Sequence, residues 1–88
     1  MKLKYEFIIT EIDDQFVAVP VGVDAEEFNG VIHLNETAKI IMEALAEETT
    51  AEIIINDIVQ KYTESSETEI SEYVNGFIAN LEKAELIK

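Results

Sequence analysis

The chain has 88 residues, 48% of them apolar, with no cysteine, one histidine and a formal net charge of −13 from 19 acids against 6 bases. A chain this short buries only ~60–65% of its unfolded surface, so it forms one domain with a modest core, but its apolar content is too high for disorder. Without cysteine there is no disulfide, thiol nucleophile or thiolate metal site, and one histidine leaves zinc only a poor, carboxylate-rich donor set, so no cofactor is expected.

Residues 1–34 carry 7 acids and 2 bases, and residues 35–88 carry 12 and 4, so the charge is spread evenly and no strongly basic face is expected. A nucleic-acid duplex presents one phosphate charge per ~1.7 Å of axis and would repel such a surface. An anionic membrane would do the same. Protein partners remain. The apolar run Phe7-Ile8-Ile9 is far too short for a signal sequence, and no membrane-length run follows. A cytoplasmic protein is therefore expected.

In chain order, residues 5–12 are rich in β-branched and aromatic side chains and read as a strand. Asp13-Asp14-Gln15 is a short polar turn, and residues 16–21 return as a second strand. Pro20 has no N–H to give a ladder, so pairing should weaken there. After a loop, residues 28–34 form a third strand. Phe28, Gly30, Ile32 and Leu34 share one face, and Asn29, Val31 and His33 share the other.

Helical periods begin at residue 35. Asn35 is a plausible N-cap for a helix over 36–47, with Ala38, Ile41, Met42 and Leu45 on one stripe. Thr49-x-x-Glu52 is a capping-box pattern opening a helix over 50–62, whose apolar residues are Ile54, Ile55, Ile58, Val59 and Tyr62. Ser66-x-x-Glu69 opens the third helix, over 67–84, where Ile70, Tyr73, Val74, Phe77, Ile78 and Leu81 follow the amphipathic template. Leu86 and Ile87 should tuck back against the core. The fold class is α+β: a three-stranded antiparallel sheet at the N-terminus followed by three helices, resembling a winged helix-turn-helix, in one domain over residues 1–88.

The carboxylates offer no catalytic machinery. Asp13-Asp14 reads as a hairpin turn, and Glu26-Glu27 and Glu47-Glu48 as solvated charge. No calcium-loop spacing, P-loop, dinucleotide fingerprint or nucleophile elbow is present. Ser65, Ser66 and Ser71 lie in no Asp-Ser-Leu context, so an acyl-carrier protein is excluded.

The third strand is a sheet edge with no proline, and its sole ionisable residue is His33, so it is poorly defended against pairing with another chain. One reading is that it accepts an extended peptide as a fourth strand. The other is that a loop or a second copy covers it. His33 is a polar surface residue or a lining of that groove. Gly76 lies in a row with Tyr73 and Asn80 on the flank of the third helix. It either admits a neighbouring helix or leaves room for a peptide.

Val19-Pro20-Val21-Gly22, then Phe28-Asn29-Gly30-Val31-Ile32-His33-Leu34-Asn35-Glu36-Thr37, resembles the PqqD family of peptide chaperones. Thr50-Ala51-Glu52-Ile53-Ile54 with Ile58-Val59-Gln60-Lys61-Tyr62 is similar to that family's second helix. Val74-x-x-Phe77-Ile78-x-x-Leu81 with Leu86-Ile87 is similar to its last helix and tail. Met42, Tyr73 and Glu85 stand where the family often has tryptophan, aspartate and glycine. The resemblance implies a non-enzymatic recognition domain for ribosomally made, post-translationally modified peptides. A leader peptide would lie along the third strand and against the third helix, and be presented to a partner enzyme, often a radical-SAM protein.

The expected peptide-binding residues are thus Asn29, Val31, His33, Tyr73, Gly76 and Asn80, with no catalytic residue and no metal. Two other classes stand beside this one. A winged-helix DNA-binding regulator would need basic helices, but the last two carry only Lys61 and Lys83 among many acids, and the chain has no arginine. A structural subunit or homodimer would use the edge for itself.

Overall fold

The structure, a computed structural model, describes residues 1–21 and 31–88. It contains strands β1 (Phe7–Ile12), β2 (Gln15–Pro20) and β3 (Ile32–Leu34), followed by helices α1 (Glu36–Ala44), α2 (Ala51–Lys61) and α3 (Glu67–Lys83). The sheet is antiparallel in the order β1-β2-β3, so β1 and β3 are its edges among the described residues.

The hairpin closes on Ile12 and Gln15, so Gln15 belongs to β2 and the loop is only Asp13-Asp14. Both aspartates have positive φ, 49° and 64°. That is the mirror-image turn whose twist matches the two strands, and aspartate tolerates it better than most residues.

Pro20 fixes the parity of the whole sheet. It lies opposite Phe7, a position that needs no N–H only if the pair is not hydrogen-bonded. In agreement, the Val21 N–H donates to the Glu6 carbonyl at 3.2 Å, one residue further along each strand. Odd residues of β2 therefore bond to β1, and even residues bond to β3. Because Phe16 pairs with Leu34 and Ala18 with Ile32, these two residues of β3 bond inward, and the N–H and C=O of His33 point away from the sheet. By the same parity Ile9 and Glu11 turn their main-chain groups outward from β1. The described part of β3 ends opposite Ala18, two places short of Pro20. The predicted strand over 28–34 is thus shorter here: Val31 is not in it, and Phe28, Asn29 and Gly30 lie outside the described residues.

One face of the sheet, with Phe7, Ile9, Phe16, Ala18, Ile32 and Leu34, packs on the helices. Ile41, Met42, Leu45, Ile54, Ile58 and Val74 are the largest side chains sealed in that core. Met42 fills its site completely, at 1% exposure.

Each helix starts on a side-chain cap. Asn35 Oδ1 accepts from the Ala38 N–H at 2.8 Å, and Ser66 Oγ accepts from the Glu69 N–H at 3.1 Å. For α2 the expected cap at Thr49 is displaced by one residue: Thr50 Oγ1 accepts from the Ile53 N–H at 3.2 Å. Thr49 is occupied elsewhere, its N–H donating to the Met1 carbonyl at 2.9 Å and its carbonyl accepting from the Met1 amine at 2.7 Å. Helix α1 stops at Ala44 instead of reaching 47. The Leu45 carbonyl accepts from the Leu3 N–H at 2.8 Å, so it is not available to continue the helix.

The last turn of α3 closes in a Schellman arrangement. The Leu86 N–H donates to the Leu81 carbonyl at 2.9 Å, and the Glu85 N–H donates to the Glu82 carbonyl at 3.0 Å, with Glu85 at φ 61°. This turns Leu86 inward, to 3% exposure. Leu3 then bridges Ile87 antiparallel, flanked by bonds from Lys4 N–H to the Leu86 carbonyl (2.7 Å) and from Lys88 N–H to the Lys2 carbonyl (2.9 Å).

Candidate functional site

The outer side of β3 is where sequence and structure meet. Among the described residues no strand pairs with it, and His33 turns both its main-chain groups into that space. The His33 side chain is exposed, on the sheet face away from the helices. Val31, just before the strand, is 49% exposed.

Helix α3 reaches this edge through Tyr73. Its hydroxyl donates to Asn35 Oδ1 at 3.0 Å, and Asn35 follows directly on Leu34, the last residue of β3. The same oxygen caps α1, so one amide ties β3, α1 and α3 together. The Tyr73 ring stacks on Phe77, with centroids 6.3 Å apart and planes at 17°. Phe77 is half-buried and Tyr73 is 40% exposed, so the pair presents an aromatic surface beside the end of the strand.

Gly76 and Asn80 are exposed on the following turns of α3, and no hydrogen bond joins either to β3 among the described residues. A Cβ built on Gly76 meets nothing within 4 Å. The reading in which Gly76 admits a neighbouring helix is therefore corrected: among the described residues nothing packs on that side of α3. The structure thus gathers Val31, His33 and Tyr73 around the end of β3, and leaves Gly76 and Asn80 further along an exposed helix row. Asn29 lies outside the described residues.

Two residues that the sequence reading did not place at the site belong to this geometry. The sequence marks Asn35 only as a cap, and its second bond to Tyr73 joins residues far apart in sequence. Phe77 reads as part of the core stripe, although its spacing of four from Tyr73 carries the signal of a stacked pair. A further tie holds the junction from below: the Tyr62 hydroxyl donates to Glu36 Oε1 at 2.9 Å. That bond, with some burial and the nearby negative charge, raises the Tyr62 phenol above its ordinary value. Among the described residues no group of three or more His, Cys, Asp or Glu could hold a metal ion. No helix among them is long and apolar enough to cross a membrane.

Among the described residues a three-stranded sheet lies on three helices, with an edge strand uncovered beside the last helix, a winged-helix-like arrangement. Over residues 8–87 the sequence matches the family described as coenzyme PQQ synthesis protein D, and the chain belongs to this PqqD family. No curated protein matches it. Among solved structures, TbiB1 in complex with the TbiA(beta) leader peptide superposes with a TM-score of 0.72. The alignment covers 100% of this chain and 95% of that one at 20% identity, so the likeness is one of fold.

Proposed function

We propose that this protein is a non-catalytic peptide chaperone. It takes the leader of a ribosomally synthesised precursor peptide as a fourth strand on β3 and presents it to a separate modifying enzyme of the radical-SAM type in the cytoplasm. The observation that carries the reading is the outward main chain of His33 on an edge that no described strand covers. Membership of the PqqD family supports it, and so does the shared fold with a protein whose solved structure includes a leader peptide. Main-chain bonds at His33 and Val31 supply affinity, as in other strand additions. The side chains of Asn29, Val31, His33, Tyr73 and Asn80, with the space left at Gly76, fix the register, and the Tyr73–Phe77 pair is an apolar anchor. At a net charge of −13 the protein favours an apolar or basic leader over an acidic one, and high salt weakens binding of a basic leader.

The parity of β3 supplies a sharp test. Proline at position 33 removes an N–H that faces outward, and edge strands tolerate proline in that orientation. His33→Pro should therefore keep the fold and lower the affinity for a labelled peptide of alternating valine and lysine by about tenfold, the equivalent of ~1.4 kcal/mol. Wild-type amides of residues 31–34 should shift on titration. Unmoved amides there, or undiminished binding by His33→Pro, would sink the proposal.

A further inference from the structure

The sheet has a second edge with a different chemistry. Beside β1 lies a cleft of about 900 Å³, walled by the first residues of the chain, by β1, and by Met42, Glu43 and Ala46 at the end of α1. Lys2, Lys4 and Lys88 all line it, half of the 6 basic residues in the chain. Their convergence is built into the fold. The buried Leu3 lies between Lys2 and Lys4 and turns both to its opposite side, and the bond from Lys88 N–H to the Lys2 carbonyl sets the third lysine beside them. The described acids of the lining are Glu6 and Glu43, and Glu43 is paired with Lys39 at 3.9 Å; Glu48 also lies within the field of Lys2 and Lys88, but it is held by the Met1 ammonium at 2.7 Å. The other lysines stand among acids: Lys61 between Asp57 and Glu64, Lys83 between Glu82 and Glu85. In a molecule of net charge −13 the described lining of this cleft carries three lysines against two acids, a local excess of positive charge.

Among the described residues no strand pairs with the outer side of Ile9 and Glu11 on the strand beside it. Residues 7–12 contain no proline and no lysine, the usual guards of an edge. By the parity set at Pro20, Ile9 and Glu11 direct their N–H and C=O groups away from β2.

We infer that the β1 edge is a second docking surface, for an acidic extended segment of a partner protein. Such a segment pairs with the main chain at Ile9 and Glu11 and runs on past Phe7, bringing its carboxylates over Lys4, Lys2 and Lys88. Charge selects the occupant, since a basic leader is disfavoured beside three lysines. The inference does not depend on leader binding at β3, which is the opposite edge of the sheet.

The test uses two labelled decapeptides, one alternating glutamate and valine and the other lysine and valine, titrated into ¹⁵N-labelled protein. The Glu–Val peptide should shift the amides of Lys2, Leu3, Lys4, Ile9 and Glu11 and leave those of Ile32, His33 and Leu34 in place. The double variant Lys2→Glu/Lys4→Glu keeps Leu3 and alters only exposed side chains, so it should melt as the wild type does. It should bind the Glu–Val peptide at least about fivefold more weakly. Glu11→Pro removes an outward N–H from an exposed position and should weaken binding even though it also removes an acid, a charge change that acts in the opposite direction. No shift at the β1 amides overturns the inference. So does an equal response there to the Lys–Val peptide, or unchanged affinity in the double variant. Light scattering covers the remaining occupant: a dimer that the double variant dissolves would show that a second copy fills the cleft, and the partner reading would fall.

Discussion

Glu85 holds a φ of 61°, a conformation that costs an L-residue with a side chain roughly 1–2 kcal/mol relative to glycine. The position closes α3 and aims Leu86 into the core. Glu85→Gly should accordingly raise stability by about 1 kcal/mol, seen as a higher urea midpoint at unchanged slope. A midpoint at or below the wild-type value would show that the turn carries no strain. Tyr62 offers a second local test. Its phenol is raised above the ordinary value, first by the hydrogen bond to Glu36, so the neutral form is favoured in the folded chain. The stabilisation it contributes is complete below the unfolded phenol pKa of about 10 and is lost as pH rises through the higher folded value. Tyr62→Phe should therefore abolish part of the alkaline loss of stability, as thermal melts across that range would record.

At the scale of whole elements, α3 was the most legible part of the chain. Its apolar residues recur with a clean helical period, and Ile70, Val74, Ile78 and Leu81 are the residues it buries. Gly76 interrupts that period without a packing reason, since a Cβ there meets nothing. Gly76→Ala should thus stabilise the protein by up to about 1 kcal/mol. If the glycine leaves room for a bound peptide, the same variant binds more weakly while melting higher, and a stabilised variant with unaltered affinity removes Gly76 from the site. The strands were legible from their β-branched runs and the helix starts from Asn35 and Ser66. The end of α1 and the cap of α2 were not. Both are set by bonds to Met1 and Leu3, and no local pattern around Leu45 or Thr49 announces a partner more than forty residues away. The same limit applies to the site. His33 and Tyr73 could be nominated from alternation and periodicity, but the amide that joins them, Asn35, had already been given a sufficient local role.

Across the whole molecule the evenly distributed charge read from the sequence conceals a local reversal. Lys2 and Lys88 lie at opposite ends of the chain and become neighbours only when Leu3 pairs with Ile87. The Met1 amine extends this seam to Glu48 at 2.7 Å, and hydrogen bonding to that ammonium holds the exposed Glu48 carboxyl below its usual range. Leu86 anchors the seam from inside. Leu86→Ala should cost ~2–4 kcal/mol, measured by urea unfolding, and should perturb the amides of Leu3 and Leu45 as well as those around position 86. A loss confined to the last residues would mean that the seam is ornamental to the core.

The pairing of Leu3 with Ile87 also dictates an order of events. Closing so long a loop has an entropic cost that grows with the logarithm of its length and is recovered only when both flanking segments are in place. The hairpin and the helix pair can form from neighbours in the chain, whereas this closure must wait for them. What assembles last on such a route is expected to open first, so the β1 side of the molecule should breathe while β2, β3 and the helical core remain shut.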